Sequence, residues 1–141
     1  MDIEFSQDKS RLDVSKIHSF LCMESSWAKG IPLETVHTAI DNSLCFAAFE
    51  NGEQIAFCRV ISDMATFANL VDVIVWPDYR GQGLAAALLE RVIEHPSLKQ
   101  VRRFTLATSN AHGLYKKLGF TPLSKPDTFM ERYRADIYSR L

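Results

Sequence analysis

The sequence predicts an α+β domain, with about four helices flanking a mixed, mostly antiparallel sheet of about six to seven strands. Three observations carry that expectation. A strand and two amphipathic helices occupy the first 41 residues. An antiparallel meander follows, folded around Asn51-Gly52. A strand–helix–strand–helix run then fills residues 67–118, and such a run needs a crossover connection and a parallel strand pair. The chain has 141 residues and a mass of 16.0 kDa, so a single domain over 1–141 is expected.

Each element has a local cause. Ile3–Phe5 reads as a short strand. Asp13 precedes Val14, Ile17, His18, Leu21 and Cys22, which recur at helical spacing, and Asp13 suits the N-cap. The loop ESSWAKGIP follows and is the longest irregular stretch expected. Pro32 suits the first turn of a second helix, with Val36, His37 and Ile40 on its inner face. Leu44–Phe49 and Gln54–Ile61 flank Glu50-Asn51-Gly52-Glu53, a strong hairpin signal. Phe67–Trp76 is rich in β-branched residues and is ended by Pro77. Leu84, Ala85, Leu88, Leu89 and Val92 mark a helix that His95-Pro96 stops. Arg103–Thr108 reads as a strand, and Ala111–Leu118 as a helix closed by Gly119. Phe120–Leu123 and Thr128–Arg134 complete the set as the last two strands.

Composition narrows the function classes. Apolar residues make up 47% and charged residues 23%, which is globular rather than disordered. The net charge of −1 supplies no basic field, so no nucleic-acid partner is expected. No apolar run reaches about 18 residues, so neither a membrane span nor a membrane partner is expected. The start, MDIEFSQDKSR, lacks the basic-then-apolar form of a signal peptide, and the expected location is cytoplasmic. Cys22, Cys45 and Cys58 are odd in number and far apart, which favours free buried thiols and no metal site. Met23, Met64 and Met130 read as core filler. Charge is uneven: residues 1–75 carry 5 Lys/Arg and 11 Asp/Glu, whereas residues 76–141 carry 11 and 6. That asymmetry fits an anionic ligand on the basic half and a cationic one on the acidic half.

The chemistry lies in LVDVIVWPDYRGQGLAAALLERV. A strand ends near Val75, a loop Arg80-Gly81-Gln82-Gly83 follows, and a helix starts near Leu84. Amides at a helix start have no intrahelical partner and point outward at the positive dipole end. Glycines permit close approach, so the loop suits a pyrophosphate, with Arg80 adding a fixed charge. Gly81-x-Gly83-x-x-Ala86 also fits the dinucleotide fingerprint. That motif belongs to a first βα unit with an acid about 20 residues later, and neither condition is met here. The Walker pattern is absent.

The segment Arg80-Gly81-Gln82-Gly83-Leu84-Ala85 resembles the acetyl-CoA loop of the GNAT superfamily of N-acetyltransferases, Arg/Gln-x-x-Gly-x-Gly/Ala. A second segment, Asn110-Ala111-His112-Gly113-Leu114-Tyr115-Lys116-Lys117-Leu118-Gly119-Phe120, is similar to the family's N-x-x-A/G-x-x-x-Y-x-x-x-G-F stretch in variant form. The resemblance implies the αβα GNAT fold, with a splayed parallel pair in its sheet. It implies acetyl-CoA as cosubstrate and a primary amine, on a small molecule or a protein, as acceptor. Val73, Ile74 and Val75 would pair with pantetheine, and one of their amides would hold the thioester oxygen. Arg80 through Ala85 would bind the pyrophosphate, Asn110 the pantetheine arm and Lys117 or Lys116 the 3′-phosphate. Tyr115 would protonate the departing thiolate. Many members are homodimers, but no stripe in this sequence settles the oligomeric state.

The general base is not readable from the resemblance. Asp72 ranks first as the acid inside the strand, then Asp63, then Glu24, with a water relay as a further route. Asp72 is equally well read as a strand acid paired with a neighbouring Arg or Lys. Trp27, with Ser25 and Ser26, is a candidate for the acceptor pocket, as is Asp63. A non-catalytic acyl-CoA sensor of the same fold is the alternative function, kept open by the lack of a clear Glu on the strand. A nucleotide-binding regulatory domain of another fold is a third reading.

Overall fold

The computed structural model describes residues 2–139. Strand β1 (Ile3–Ser6) leads to helix α1 (Val14–Ser19), whose N-cap Asp13 accepts from the Lys16 amide. The helix continues as a π turn over Phe20–Glu24, so the first helix expected through Cys22 forms, with a change of winding after Ser19. Helix α2 (Leu33–Asp41) buries Val36 and Ile40 and leaves His37 exposed. The meander is β2 (Leu44–Glu50), β3 (Glu53–Ser62) and β4 (Phe67–Val75). Its first turn has φ of 52° at Asn51 and 81° at Gly52, the doubly positive pattern that matches the twist of a tight hairpin. Helix α3 (Leu84–Ile93), β5 (Arg103–Thr105) and α4 (His112–Lys117) complete the regular elements.

The sheet runs β1-β2-β3-β4-β5, antiparallel except for the parallel β4–β5 pair. One apolar cluster joins α3 and α4 to one face through Leu84, Leu88, Leu89 and Tyr115. The other joins α1 and α2 to the opposite face through Ile17, Leu21, Val36, Phe57 and Ile74.

Three expectations need correction. Among the described residues the sheet has five strands, because Phe120–Leu123 and Thr128–Arg134 form none. A strand exists only where another edge takes up its backbone bonds, and this segment meets none. The longest irregular stretch is therefore the C-terminal one, not ESSWAKG. Met23, Met64 and Met130 are exposed rather than core filler, at 71%, 44% and 97%.

Candidate active site

The β4–β5 pair is short. Its register covers Phe67–Asn69 against Arg103–Thr105 and then stops. The Thr105 hydroxyl donates to Asn69 Oδ1 at 2.7 Å and marks the point where the strands part. Beyond it, Leu70, Val71, Ile74 and Val75 keep their pairing with β3 but, among the described residues, have no strand on the other side. The parted edges form a V; Trp76 N–H bonds to the Ile55 carbonyl and Ile74 pairs with Phe57 on the β3 side, so alternation turns the amides of Val73 and Val75 toward the V.

The V leads to the glycine loop. Gly81 and Gly83 have φ of 77° and 75°, the left-handed region that a side chain disfavours. A Cβ at either would meet nothing within 4 Å, so glycine is required by the backbone rather than by crowding inside the protein. The space over the loop is open. The first bond of α3 is Ala87 N–H to the Gly83 carbonyl, which leaves the amides of the preceding turn facing outward. Arg80 is exposed, and its Nε donates to the Val75 carbonyl at 2.8 Å. That bond ties loop to strand and leaves the terminal guanidinium nitrogens for an anion. The donor set and the two glycine conformations fit a diphosphate.

Tyr115 lies on α4 and is 8% exposed, with its ring edge-on to Phe120 at 5.9 Å. Burial pushes its phenol above the usual value, with the neighbouring Cys58 adding to the shift. The group is therefore neutral across the physiological range and can donate a proton. Its hydroxyl has no hydrogen-bond partner among the described residues, so the donor is available to a ligand. Asn110 is exposed and likewise unbonded among the described residues, while Thr108 Oγ1, not Asn110, accepts the Ala111 amide at the start of α4. Lys116 and Lys117 are exposed on that helix.

Asp72 sits at a bulge. Phe57 pairs with Ile74 and Arg59 with Val71, so Cys58 alone faces Asp72 and Val73. The Asp72 φ is 54°. The bulge reverses the strand's parity: Ala68 and Leu70 face the α3 side before it, and Val73 and Val75 do so after it. The Asp72 carboxylate is held by both oxygens. Oδ1 accepts from Trp27 Nε1 at 2.8 Å, and Oδ2 from Arg59 Nε at 2.6 Å. Arg59 Nη1 donates to Ser43 Oγ, and that hydroxyl donates to the Ala39 carbonyl. The network joins α2, β3, β4 and the ESSWAKG loop. The loop is shaped by Ser25, whose hydroxyl donates to the Leu21 carbonyl and accepts the Ala28 amide.

Asp63 is not near this network in bonding terms. It accepts the amides of Ala65, Thr66 and Phe67 and the Thr66 hydroxyl, closing the turn between β3 and β4. Those bonds hold its carboxyl far below the usual carboxylate range, with the Thr66 hydroxyl contributing most. Glu24 is exposed at the end of the π turn. Sequence reasoning missed Arg59, Asn69 and Thr105. Arg59 had a signal, being the one charge inside the apolar run Gln54–Ile61. Among the described residues no group of three or more His, Cys, Asp or Glu is placed to hold a metal.

The family model for the acetyltransferase (GNAT) domain matches residues 41–122. The uncharacterized N-acetyltransferase ycf52 of Gracilaria tenuistipitata var. liui is 34% identical over 113 residues, which is 76% of this chain and 60% of that one. The chain thus spans less than two thirds of the length of such relatives. The ribosomal protein bS18-alanine N-acetyltransferase of Escherichia coli K12 is 37% identical over 83 residues, or 55% of this chain and 54% of that one. A crystal structure from Xanthomonas campestris pv. campestris, of a protein assigned to the GNAT acetyltransferases, is 52% identical. It superposes with a TM-score of 0.96 over 99% of this chain and 98% of that one, a span that includes the C-terminal segment. A Clostridium acetobutylicum acetyltransferase solved with acetyl-CoA shares the fold, with a TM-score of 0.67 at 17% identity over 94% of this chain and 96% of that one. The strand V, the glycine loop at the head of α3 and these matches lead to one assignment: the chain belongs to the GNAT acetyltransferases, a family whose acyl donor is acetyl-CoA.

Proposed function

We propose that this protein is an N-acetyltransferase that moves the acetyl group of acetyl-CoA to a primary amine by direct attack in a ternary complex. One observation carries the reading: the β4–β5 pair parts beside the glycine loop, and Tyr115, buried, neutral and with an unbonded hydroxyl, packs in the same cluster as Val73 and Val75. The amine nitrogen attacks the thioester carbonyl and loses one proton. The carbon–sulfur bond breaks, and CoA leaves as a thiolate that takes a proton from Tyr115. The amide of Val73 or Val75 faces the oxygen that becomes anionic, a contribution of about 3 kcal/mol where such donors are preorganised. Arg80 and the amides of Gly81 through Ala85 hold the diphosphate, Asn110 the pantetheine arm, and Lys117 the 3′-phosphate.

The acceptor side is built by the ESSWAKG loop and Trp27, held over β4 by Asp72. In this reading Asp72 positions Trp27 and Arg59, and the amine proton leaves through water. The acidic first half of the chain favours a cationic acceptor. The activity named for the Escherichia coli relative makes an N-terminal alanine amine one acceptor to test. The test is Tyr115→Phe assayed by CoA release against an amine panel. Turnover is expected to fall about 100-fold, within the range of general acid catalysis, with CoA affinity retained. Unchanged turnover removes Tyr115 from the chemistry.

A second reading is favoured by the engagement of Asp72 and Asp63 in structural bonds: an acyl-CoA sensor without turnover. CoA binding with no acetyl transfer to any amine in the panel would select it.

A further inference from the structure

Helices α1 and α2 cover only part of their side of the sheet. Toward the β3–β4 turn, Ile61, Phe67, Asn69, Val71 and Thr105 project to that side, and none joins the cluster beneath the two helices. Ala68 and Leu70, between them on β4, face α3 instead. Ile61 and Phe67 are 46% and 40% exposed, and Asn69, Val71 and Thr105 are half-buried. The strip begins beside Trp27, which bonds to Asp72 next to Val71, so it continues the acceptor side of the V. At the point where β4 and β5 part, Asn69 Oδ1 is taken by the Thr105 hydroxyl. The Asn69 Nδ2 has no partner among the described residues and is open to solvent.

The charges bordering the strip are Arg59, Asp63, Asp72 and Arg103, with Glu24 and Lys29 exposed on the adjoining π turn and loop. Asp72 is bonded to Arg59 and Trp27, and Asp63 to its own turn. Arg103 lies over Phe129 at 5.2 Å and has no carboxylate partner among the described residues. Neither carboxylate on the strip is left to take an ammonium proton or to pair with a second cation. Such a site favours an amine that is already partly neutral. A peptide α-amine has a pKa of about 7.7–8.0 and a lysine amine about 10.4. At pH 7.5 roughly a third of the first is neutral and about 0.1% of the second, a ratio of about 300. Reach adds a second constraint. Asn69 lies four residues before Val73, roughly 13 Å along an extended strand and less across the bulge. A single amino acid cannot span that distance, whereas three residues of extended peptide, at about 3.3 Å each, come close to it.

We propose, resting on the transferase reading above, that the acceptor is the free N-terminus of an extended polypeptide laid along Val71, Ile61 and Phe67, with Asn69 Nδ2 donating to a main-chain carbonyl near its third residue. The α-ammonium gives its proton to water before attack, and the exchange at the thioester carbonyl is the one already described. Apolar side chains at the second to fourth positions of the polypeptide meet the strip. A polyamine would bring further cations to a surface with Arg103 and no free carboxylate.

Acetyl transfer by the full chain to four acceptors tests this: a C-terminally amidated hexapeptide with apolar residues at positions two to four, the same peptide N-terminally blocked and carrying one lysine, spermidine, and alanine amide. At pH 7.5 the free hexapeptide is expected to exceed the blocked peptide and spermidine by at least 100-fold in kcat/KM. It is expected to exceed alanine amide through a lower KM. Asn69→Asp keeps the acceptor for the Thr105 hydroxyl and removes the N–H donor. The hexapeptide-to-alanine-amide ratio of kcat/KM should then fall about 10-fold, the size of one hydrogen bond. The pH profile of kcat/KM should break near pH 8, and the break should move with the α-amine pKa when the first residue of the peptide is changed. Equal or faster transfer to spermidine or to the blocked lysine peptide overturns the inference and leaves the transferase reading standing. So does an unchanged ratio in Asn69→Asp, or a break that ignores the peptide and shifts in Glu24→Gln. Transfer to none of the four, with CoA still bound by calorimetry, overturns the transferase reading and the inference together.

Discussion

Asp72 shows how one side chain's role follows from its bonds. A carboxylate gripped by Arg59 and Trp27, with its side chain 8% exposed, is a strut between β3, β4 and the loop above them. Asp72→Ala leaves Arg59 with a largely buried, unpaired charge, and such breaks cost about 3 kcal/mol. The expected outcome is a lowered melting temperature and a raised KM for the amine, with CoA affinity little changed. Thermal melts and two-substrate kinetics check it. The thiols give a second residue-scale prediction. Burial pushes Cys45 up to about 11 and Cys58 higher still, whereas Cys22 is only half-buried. At neutral pH a thiol reagent is expected to label Cys22 quickly and the other two only on unfolding, with peptide mapping as the measurement.

At the scale of elements, the glycine loop and the strand V depend on backbone conformation more than on side-chain identity. Gly81→Ala and Gly83→Ala each put a Cβ on a left-handed residue, a cost of about 1–2 kcal/mol. The loop relaxes by turning amides away from the diphosphate. CoA affinity measured by calorimetry is therefore expected to fall about 10-fold for each, with stability affected less than affinity. The elements also show what could be read in advance. The Asn51-Gly52 hairpin, β4 and α3 were legible because their period and turn residues act locally. The bulge at Asp72 was not, because a bulge is a property of two strands in register. The change from α to π winding after Ser19 was hidden for a similar reason. Phe20 packs against Trp27 in the following loop and against Trp76 from a distant part of the chain.

The whole molecule titrates as a folded unit at the alkaline end. Tyr115, Cys45 and Cys58 all have folded pKa values above their ordinary ones, because burial disfavours the charged form. Raised values hold more protons in the folded state. Their contribution is complete below about pH 9 and is lost as pH rises toward 11 and beyond. Urea midpoints are expected to hold steady near neutrality and to decline above pH 9, with Cys45→Ala shallower on that limb. No helix among the described residues is long and apolar enough to cross a membrane.

Read alone, the residues were enough for the elements from β1 to α4, the glycine loop at the head of α3 and the family, though not for the last two strands expected, which do not form; spacing, glycines and caps act over a few residues. Long-range packing settled the rest: that Asp72 is bonded to Arg59 and Trp27, that β4 and β5 part after Asn69, and that residues 121–137 form no strand. Each of those depends on which distant backbone or side chain arrives as partner, and a bond between remote groups leaves no mark on the local pattern of either.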